Sequence, residues 1–283
     1  MLQKTRTRVE DLSKRGTAWV DSRPPETRTG TAIDAWRRYR AVDGPLQSLL
    51  LTAYIVVAVV PALLVMTEYL ETKPTALANF MARHYALSGQ TATLLRGVLV
   101  QDKTHELGSA LFAIAGALFF GLGFGRVLQL VHARAWGIPL ASKQSDQPRY
   151  ALVLLGLYGI ILLLVVQEKE LTGGPVWDGL AVAPGWVALL AVFFVWAPRL
   201  LTHKLISRRD LLPGAIVTAL GLVVLMIVSS FVMEYWVDFY AKDYGGLGVV
   251  MAIFFWIGFS STVIVAAAAL SPALSQRREL RAS

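Results

Sequence analysis

Blocks of apolar residues alternate with polar segments along the chain, and each block has roughly the 20 residues that a helix needs to cross a bilayer core. Lipid offers no partner to backbone amides, and the blocks lack the alternation of barrel strands, so we expect helices. The pattern predicts an all-α, polytopic membrane protein. Its six transmembrane helices are expected at residues 47–67, 107–131, 150–166, 180–197, 212–232 and 247–270.

Composition agrees with this pattern. Of the 283 residues, 55% are hydrophobic and 16% are charged, which is too apolar for the surface of a soluble domain. The first 46 residues are polar and the first apolar block is long, so we expect no cleavable signal peptide. The absence of cysteine excludes disulfides, thiolate metal sites and a cysteine nucleophile.

The distribution of the 27 lysines and arginines predicts the orientation. Twenty lie in the N-terminal segment, the second and fourth connections and the C-terminal tail; six lie in the connections on the opposite side. Cytoplasmic loops carry the excess of positive charge, so both termini are expected in the cytoplasm. The strongly basic inner face favours anionic headgroups of the inner leaflet as partners.

The chain divides into three parts: a basic N-terminal segment (1–46), the transmembrane domain (47–272) and a tail (273–283). The N-terminal segment has little apolar periodicity and is expected to be mainly disordered, with a short interfacial helix around Ile33 to Tyr39. Its basic residues are typical of nucleic-acid or membrane-surface binding. The tether to a bilayer and the interspersed acids favour membrane surface, with no nucleic acid.

The first outer loop, residues 68–106, is predicted to contain two short amphipathic helices, because apolar residues recur at helical spacing on both sides of Ser88 and Gly89. These residues are Leu77, Phe80, Met81 and Tyr85, then Leu94, Leu95, Val98 and Leu99. The helices would cap the bundle, or they would form a gate.

The sequence contains no pattern typical of catalysis. His84 and His105 are predicted outside, and His132 and His203 inside, without ligand spacing. A nucleophile elbow and a phosphate-binding lysine loop are missing. We therefore expect a protein that is not an enzyme and uses no metal or cofactor. No Asp or Glu lies in a predicted span, which argues against a proton-coupled carrier.

Candidate binding residues lie in the second predicted span, where Arg126 is the single basic residue within any span. Arg126 either snorkels to the cytoplasmic surface or contacts a phosphate or carboxylate. The same helix has a face of small residues, which serves either close helix packing or a lipid groove. We assign Arg126, Gly121, Gly125 and Ala117 to lipid binding, and Ser109, Ala113, Gly116 and Gly123 to packing.

Several short motifs resemble the YihY/BrkB family of membrane proteins over residues 47–272. They are Pro61, Trp136-Gly137-Ile138-Pro139, Leu212-Pro213-Gly214-Ala215, and Tyr244-Gly245-Gly246-Leu247-Gly248 followed by Trp256. The resemblance implies six helices in a bacterial cytoplasmic membrane and transport of lipid or another envelope component. The family's old label as a ribonuclease has no support in these residues.

The chain departs from the family pattern at two acids. The last helix of the family commonly has a Gly-Ala-Glu-Leu-Asn-like run, and this chain has Ala267, Ala268, Ala269, Leu270 and Ser271 at that place. In the fifth span, Val223 or a neighbour replaces an acid. The leading hypothesis is a protein that transports or rearranges an anionic envelope amphiphile. The alternative is a structural or regulatory subunit whose basic segment recruits a partner. Homo-oligomerisation stays open.

Overall fold

The computed structural model describes residues 27–69, 93, 107–139, 144–166 and 176–282. Within these ranges the chain is helical and contains no strand, which confirms the all-α prediction. One 3-10 turn, Gln144–Asp146, precedes the fourth helix. The α-helices are α1 (Arg28–Ala41), α2 (Gly44–Tyr69), α3 (Leu107–Ala135), α4 (Gln147–Val166), α5 (Val176–Leu201), α6 (Arg208–Tyr244) and α7 (Gly246–Ala282).

Helices α2 to α7 cover the six predicted spans. In the described ranges, three segments are long and apolar enough to cross a bilayer: Val182–Leu201, Arg208–Ser229 and Leu247–Arg278. A fourth is added if the bent pair Thr29–Ala41 and Gly44–Ala58 forms one span. The described residues therefore support three or four spans, and the count of six stays a prediction.

Helix α1 is longer than the interfacial segment predicted from the sequence. Thr27 caps its N-terminus by accepting a hydrogen bond from the Gly30 amide at 3.0 Å. After α1 the chain turns through Asp43, which has a φ of 55°, and α2 starts at an angle of 63° to α1. Trp36 is 61% exposed on α1, whereas Thr31 is buried. The rest of the N-terminal segment, residues 1–26, lies outside the described residues.

Helices α6 and α7 form a long antiparallel hairpin. Each has 37 residues, or about 55 Å at 1.5 Å per residue, which exceeds a hydrocarbon core of about 30 Å. Gly245 joins them with φ 58° and ψ −136°, a backbone conformation that favours glycine. A Cβ at Gly248 would overlap the carbonyl group of Tyr240, so this position also needs glycine. The α7 helix continues through the predicted tail boundary to Ala282.

The main core lies between α3, α4, α5, α6 and α7, with Leu51 added from α2. A second, smaller core joins α6 to α7 near Gly245, and it consists of Met233, Val237, Ala241, Val249 and Ala252. This second core lets α6 extend past its predicted span to Tyr244, because the added turns bury Met233, Val237 and Ala241 against α7.

The outer face of α6 is apolar over most of its length. Exposed side chains recur every three or four residues, so they form one stripe along the helix: Leu212, Ile216, Leu220, Val224, Ile227, Val228 and Phe231. A large apolar surface of this kind is unusual on a soluble monomer and suits contact with lipid.

Polar contacts bring one end of each helix together. We call this the polar end: it contains the C-termini of α3, α5 and α7 and the N-termini of α2, α4 and α6. The opposite end is the hairpin end, which contains Gly245. Apart from Glu68, Tyr69 and Thr93, the predicted loop helices of residues 68–106 lie outside the described residues.

Candidate functional site

Three glycines of α3 allow neighbouring helices to pack closely against it. A Cβ at Gly121 would overlap the Leu154 side chain of α4, and a Cβ at Gly125 would lie 2.8 Å from the Cα of Tyr150. Gly123 faces Tyr54 of α2 in the same way. The small-residue face at Gly121 and Gly125 is thus occupied by α4, and Gly123, assigned to packing, contacts α2.

The remaining small residues of α3 lie closer to the hairpin end. A Cβ at Gly116 would meet no atom of the described residues within 4 Å. Ser109, Ala113 and Ala117 lie within the helix, but their side chains are outside the described part of the structure. The structure therefore shows packing contacts in the half of the small-residue face of α3 that lies nearer the polar end.

Arg126 is exposed on the outer face of α3. Phe119, two helical turns earlier on the same face, is 74% exposed. Arg126 makes no hydrogen bond or ion pair with the described residues. It lies about 100° around the helix from Gly125, so the structure does not place Arg126 and the packed glycines in one open groove.

A buried hydrogen-bond chain crosses the polar end from α4 to α5. The Tyr150 hydroxyl donates to Gln129 Oε1 at 2.5 Å, and Gln129 Nε2 donates to the Leu201 carbonyl oxygen at 2.7 Å. Tyr150 and Gln129 are almost fully buried. The chain satisfies the last turn of α5 and fixes it to α3 and α4. Our sequence analysis missed it, although Gln129 is the one amide in the apolar block of α3.

A charged cluster joins the two loops at the polar end. Asp146, which is 1% exposed, lies 2.8 Å from Arg149 Nη1 and 3.1 Å from His203 Nε2. Arg149 Nη1 also lies 2.6 Å from His203 Nδ1. The same Arg149 Nη1 atom lies 2.9 Å from His203 Nε2, so the guanidinium contacts both nitrogens of the ring. Asp146 and His203 come from different loops, so this cluster holds the α3–α4 and α5–α6 connections together.

The N-terminus of α6 is tied to α7 by hydroxyl groups. Ser207 caps the helix and donates to Asp210 Oδ2 at 2.7 Å. Ser275 of α7 donates to Asp210 Oδ1 at 2.8 Å, and Ser271 donates to the Asp210 carbonyl oxygen at 3.2 Å. Arg38 of α1 adds a further tie, because it donates to Gln276 and to the Ala135 carbonyl oxygen.

A small cavity of about 10 Å³ lies near the polar end, between α3, α5, α6 and α7. Its polar lining includes His132, Thr218 and Ser271. His132 Nδ1 lies 2.9 Å from the Leu128 carbonyl oxygen, and the Thr218 hydroxyl donates to the Gly214 carbonyl oxygen at 2.9 Å. A space of this size holds about one water molecule.

A larger cavity of about 240 Å³ lies between α5, α6 and α7. Its lining is mainly apolar and consists of Trp186, Leu190, Leu222, Val223, Leu225, Met226, Ser229, Trp256 and Ser260. Sequence reasoning did not find this site, because each of these residues reads as ordinary core of a membrane helix. Within the described ranges, no group of three or more His, Asp or Glu side chains could hold a metal ion.

The motifs noted in the sequence take structural roles at helix ends and close contacts. Gly137, with a φ of 64°, ends α3, and the Ile138 amide donates back to the Ala133 carbonyl oxygen at 2.8 Å. Gly214 of α6 packs against Ser271 of α7. A family model for virulence factor BrkB matches residues 35–283, which include all of these positions. The chain belongs to the virulence factor BrkB family.

No curated protein and no solved structure matches the chain. Within this BrkB-family fold, three of the positions at which the sequence differs from the expected motifs line the two cavities. Val223 lines the larger cavity, and Ala268 and Ser271 line the smaller one. The chain is thus a membrane protein of the BrkB family in which small or apolar side chains occupy both places.

Proposed function

We propose that this BrkB-family protein binds an anionic amphipathic envelope lipid and moves or rearranges it in the bacterial cytoplasmic membrane. In this proposal both termini face the cytoplasm, so the polar end lies at the inner leaflet. The chain acts through binding surfaces rather than through covalent chemistry.

Arg126 carries the proposal. It lies nine residues before the end of α3, or about 14 Å along the helix, and it projects from an otherwise apolar outer face. A guanidinium at that depth is costly unless an anion or water contacts it. Its planar set of donors suits the two oxygens of a phosphate or carboxylate. A lipid headgroup of the inner leaflet supplies such an anion at the right depth.

Other cations at the polar end extend the attraction to anionic lipid. Lys204, Arg208, Arg209 and Arg278 are exposed there. Each basic residue near an anionic bilayer surface adds about 1 kcal/mol of attraction. This general attraction would concentrate anionic lipid around the polar end, and Arg126 would bind one headgroup specifically.

Native mass spectrometry of variants in bilayers of mixed charge tests the headgroup site. Arg126→Gln should lose bound phosphatidylglycerol while keeping the melting temperature of the parent. Arg126→Lys should restore part of the binding, because it returns the charge without the two-pronged geometry. Lys242→Gln removes one exposed charge at the hairpin end, away from the proposed headgroup site, and is the matched control. Equal lipid retention in Arg126→Gln and Lys242→Gln would leave Arg126 as a snorkelling residue.

Leaflet exchange tests the transport step. The purified protein in liposomes should accelerate the exchange of a fluorescent phosphatidylglycerol between leaflets relative to empty liposomes. Arg126→Gln should slow that exchange. Lipid binding without any acceleration would overturn transport and favour a structural or regulatory subunit.

The absence of enzymatic activity is part of the proposal. At the described polar end Asp146 contacts Arg149 and His203, Asp210 accepts hydrogen bonds from two serines, and His132 contacts a backbone carbonyl oxygen. These are contacts between neighbouring helices and loops, and they do not have the arrangement of a nucleophile with its base. Purified protein should therefore not cleave RNA. RNA cleavage that disappears in His132→Ala or His203→Ala protein would contradict this part of the proposal.

A further inference from the structure

The larger cavity has the chemistry of a hydrocarbon site. Seven of its nine lining residues are Trp, Leu, Val or Met, and none is charged. The two serines are already engaged: Ser229 donates to the Met226 carbonyl oxygen at 2.7 Å, and Ser260 donates to the Trp256 carbonyl oxygen at 3.2 Å. Trp186 also lines the cavity, and its buried Nε1 atom has no hydrogen-bond partner among the described residues. Water gains few partners in such a space, which therefore favours an apolar occupant.

The cavity lies away from Arg126 along the bundle. Its α6 residues, Leu222 to Ser229, start 14 residues after Arg208. At about 1.5 Å per residue they lie roughly 20–30 Å from the polar end. This depth corresponds to the leaflet at the hairpin end, whereas Arg126 lies in the leaflet at the polar end.

The neighbouring surface of α6 faces outward and is apolar. Val224 is 57% exposed and directly follows Val223, which is 6% exposed and lines the cavity. Leu220 and Val228, at similar depth, are also exposed. The cavity is therefore separated from a lipid-facing surface by the width of one helix.

We propose that the cavity binds one acyl chain of a membrane lipid from the leaflet at the hairpin end. Ligand pockets for drug-sized molecules measure about 300–1,000 Å³, so a cavity of about 240 Å³ has room for part of one acyl chain and none for a headgroup in addition. This inference rests on the proposed lipid-handling function and gives it a second binding site. In this proposal the headgroup contact and the chain site lie in opposite leaflets, so the protein would contact lipid on both sides of the bilayer.

Photo-crosslinking with a phosphatidylglycerol that carries a diazirine in its acyl chain tests the proposal. The full-length protein is labelled in liposomes, and the labelled positions are mapped by mass spectrometry. We expect strong labelling of Met226 and Trp256 in the cavity, above the labelling of the outward residues Leu220 and Val224. Labelling confined to the outward residues would overturn the proposal.

Matched variants of adjacent residues make the test specific. Val223→Phe fills the cavity and should reduce the labelling of Met226 and Trp256 at least fivefold. Val224→Phe adds the same volume on the outer face and should leave the labelling of Met226 and Trp256 unchanged. Ser260→Leu fills the cavity from α7 and replaces Val223→Phe if that variant does not fold. Unchanged cavity labelling in a folded filling variant would overturn the proposal.

The leaflet-exchange measurement separates this site from the proposed function. Accelerated exchange without labelling of the cavity would refute the acyl-chain site and leave lipid transport standing. Labelling of the cavity that the filling variants abolish, without accelerated exchange, would support the site and refute transport.

Discussion

Tyr150 of α4 donates its hydroxyl hydrogen to Gln129 Oε1 of α3 at 2.5 Å, in a part of the protein where both side chains are buried. The same Gln129 donates to the Leu201 carbonyl oxygen at the end of α5. One amide thus links three helices. A buried polar group that loses its partner costs more free energy than the hydrogen bond itself contributes, so this chain is a sensitive point of the bundle.

Tyr150→Phe should lower stability because it leaves Gln129 Oε1 without its donor. The expected loss is about 1–3 kcal/mol, seen as a fall of several degrees in the melting temperature of the protein in detergent. Tyr235→Phe is the control, since Tyr235 is 76% exposed. Equal melting temperatures for both variants would show that the buried hydrogen bond contributes no net stability.

Gly125→Ala should destabilise the protein because the new methyl group would lie 2.8 Å from the Tyr150 Cα, a backbone atom that moves only with α4. Overpacking of this kind costs about 1–3 kcal/mol. Gly116→Ala makes the same change in the same helix, at a position where no described atom lies within 4 Å of the new Cβ, and it should be neutral or slightly stabilising. Thermal unfolding of the two variants decides the matter. A drop at Gly116 as large as at Gly125 would refute the packing argument.

Asp146→Asn should weaken the connection between the two loops of the polar end. The variant removes the negative charge that Arg149 and His203 share, and Arg149 is 37% exposed, so we expect a loss of about 1–3 kcal/mol rather than the full cost of a deeply buried pair. Asp43→Asn breaks the exposed pair with Arg134 and should cost no more than about 1 kcal/mol. Asparagine also tolerates the positive φ at position 43. The melting temperature of Asp146→Asn should be lower than that of Asp43→Asn, and the reverse order would contradict the role given to Asp146.

Single introduced cysteines test the orientation, because the chain has none of its own. Ser145→Cys lies in an exposed turn at the polar end and should react with an impermeant maleimide only after the membrane is opened. Gly89→Cys, in the predicted outer loop, should react in intact cells. The opposite labelling pattern would reverse every assignment of sides.

Local sequence features determined much of this protein. The apolar blocks located helices α2 to α7, because a helix in lipid must satisfy its own backbone and present apolar side chains over its length. The glycine motifs marked real constraints, since Gly137 and Gly245 adopt positive φ. The short motifs around these glycines also indicated the BrkB family, which the family model confirms.

The ends of the helices were less visible. Helix α6 extends beyond its predicted span to Tyr244, because the small core around Val237 and Val249 stabilises it where its apolar run has ended. Helix α7 extends at the polar end, where Ser271 and Ser275 donate hydrogen bonds to Asp210 of α6. That stabilisation depends on the partner helix and has no signal in either segment alone.

Tertiary structure alone decided which surfaces meet. The spacing of Gly121 and Gly125 predicts a close neighbour but cannot specify that α4 fills the space with Leu154 and Tyr150. Arg149 and His203 are 54 residues apart, and their contact depends on how two loops pack at one end of the bundle. The cavity between α5, α6 and α7 is a property of imperfect packing among three helices, whereas sequence periodicity reports only the faces of one helix at a time.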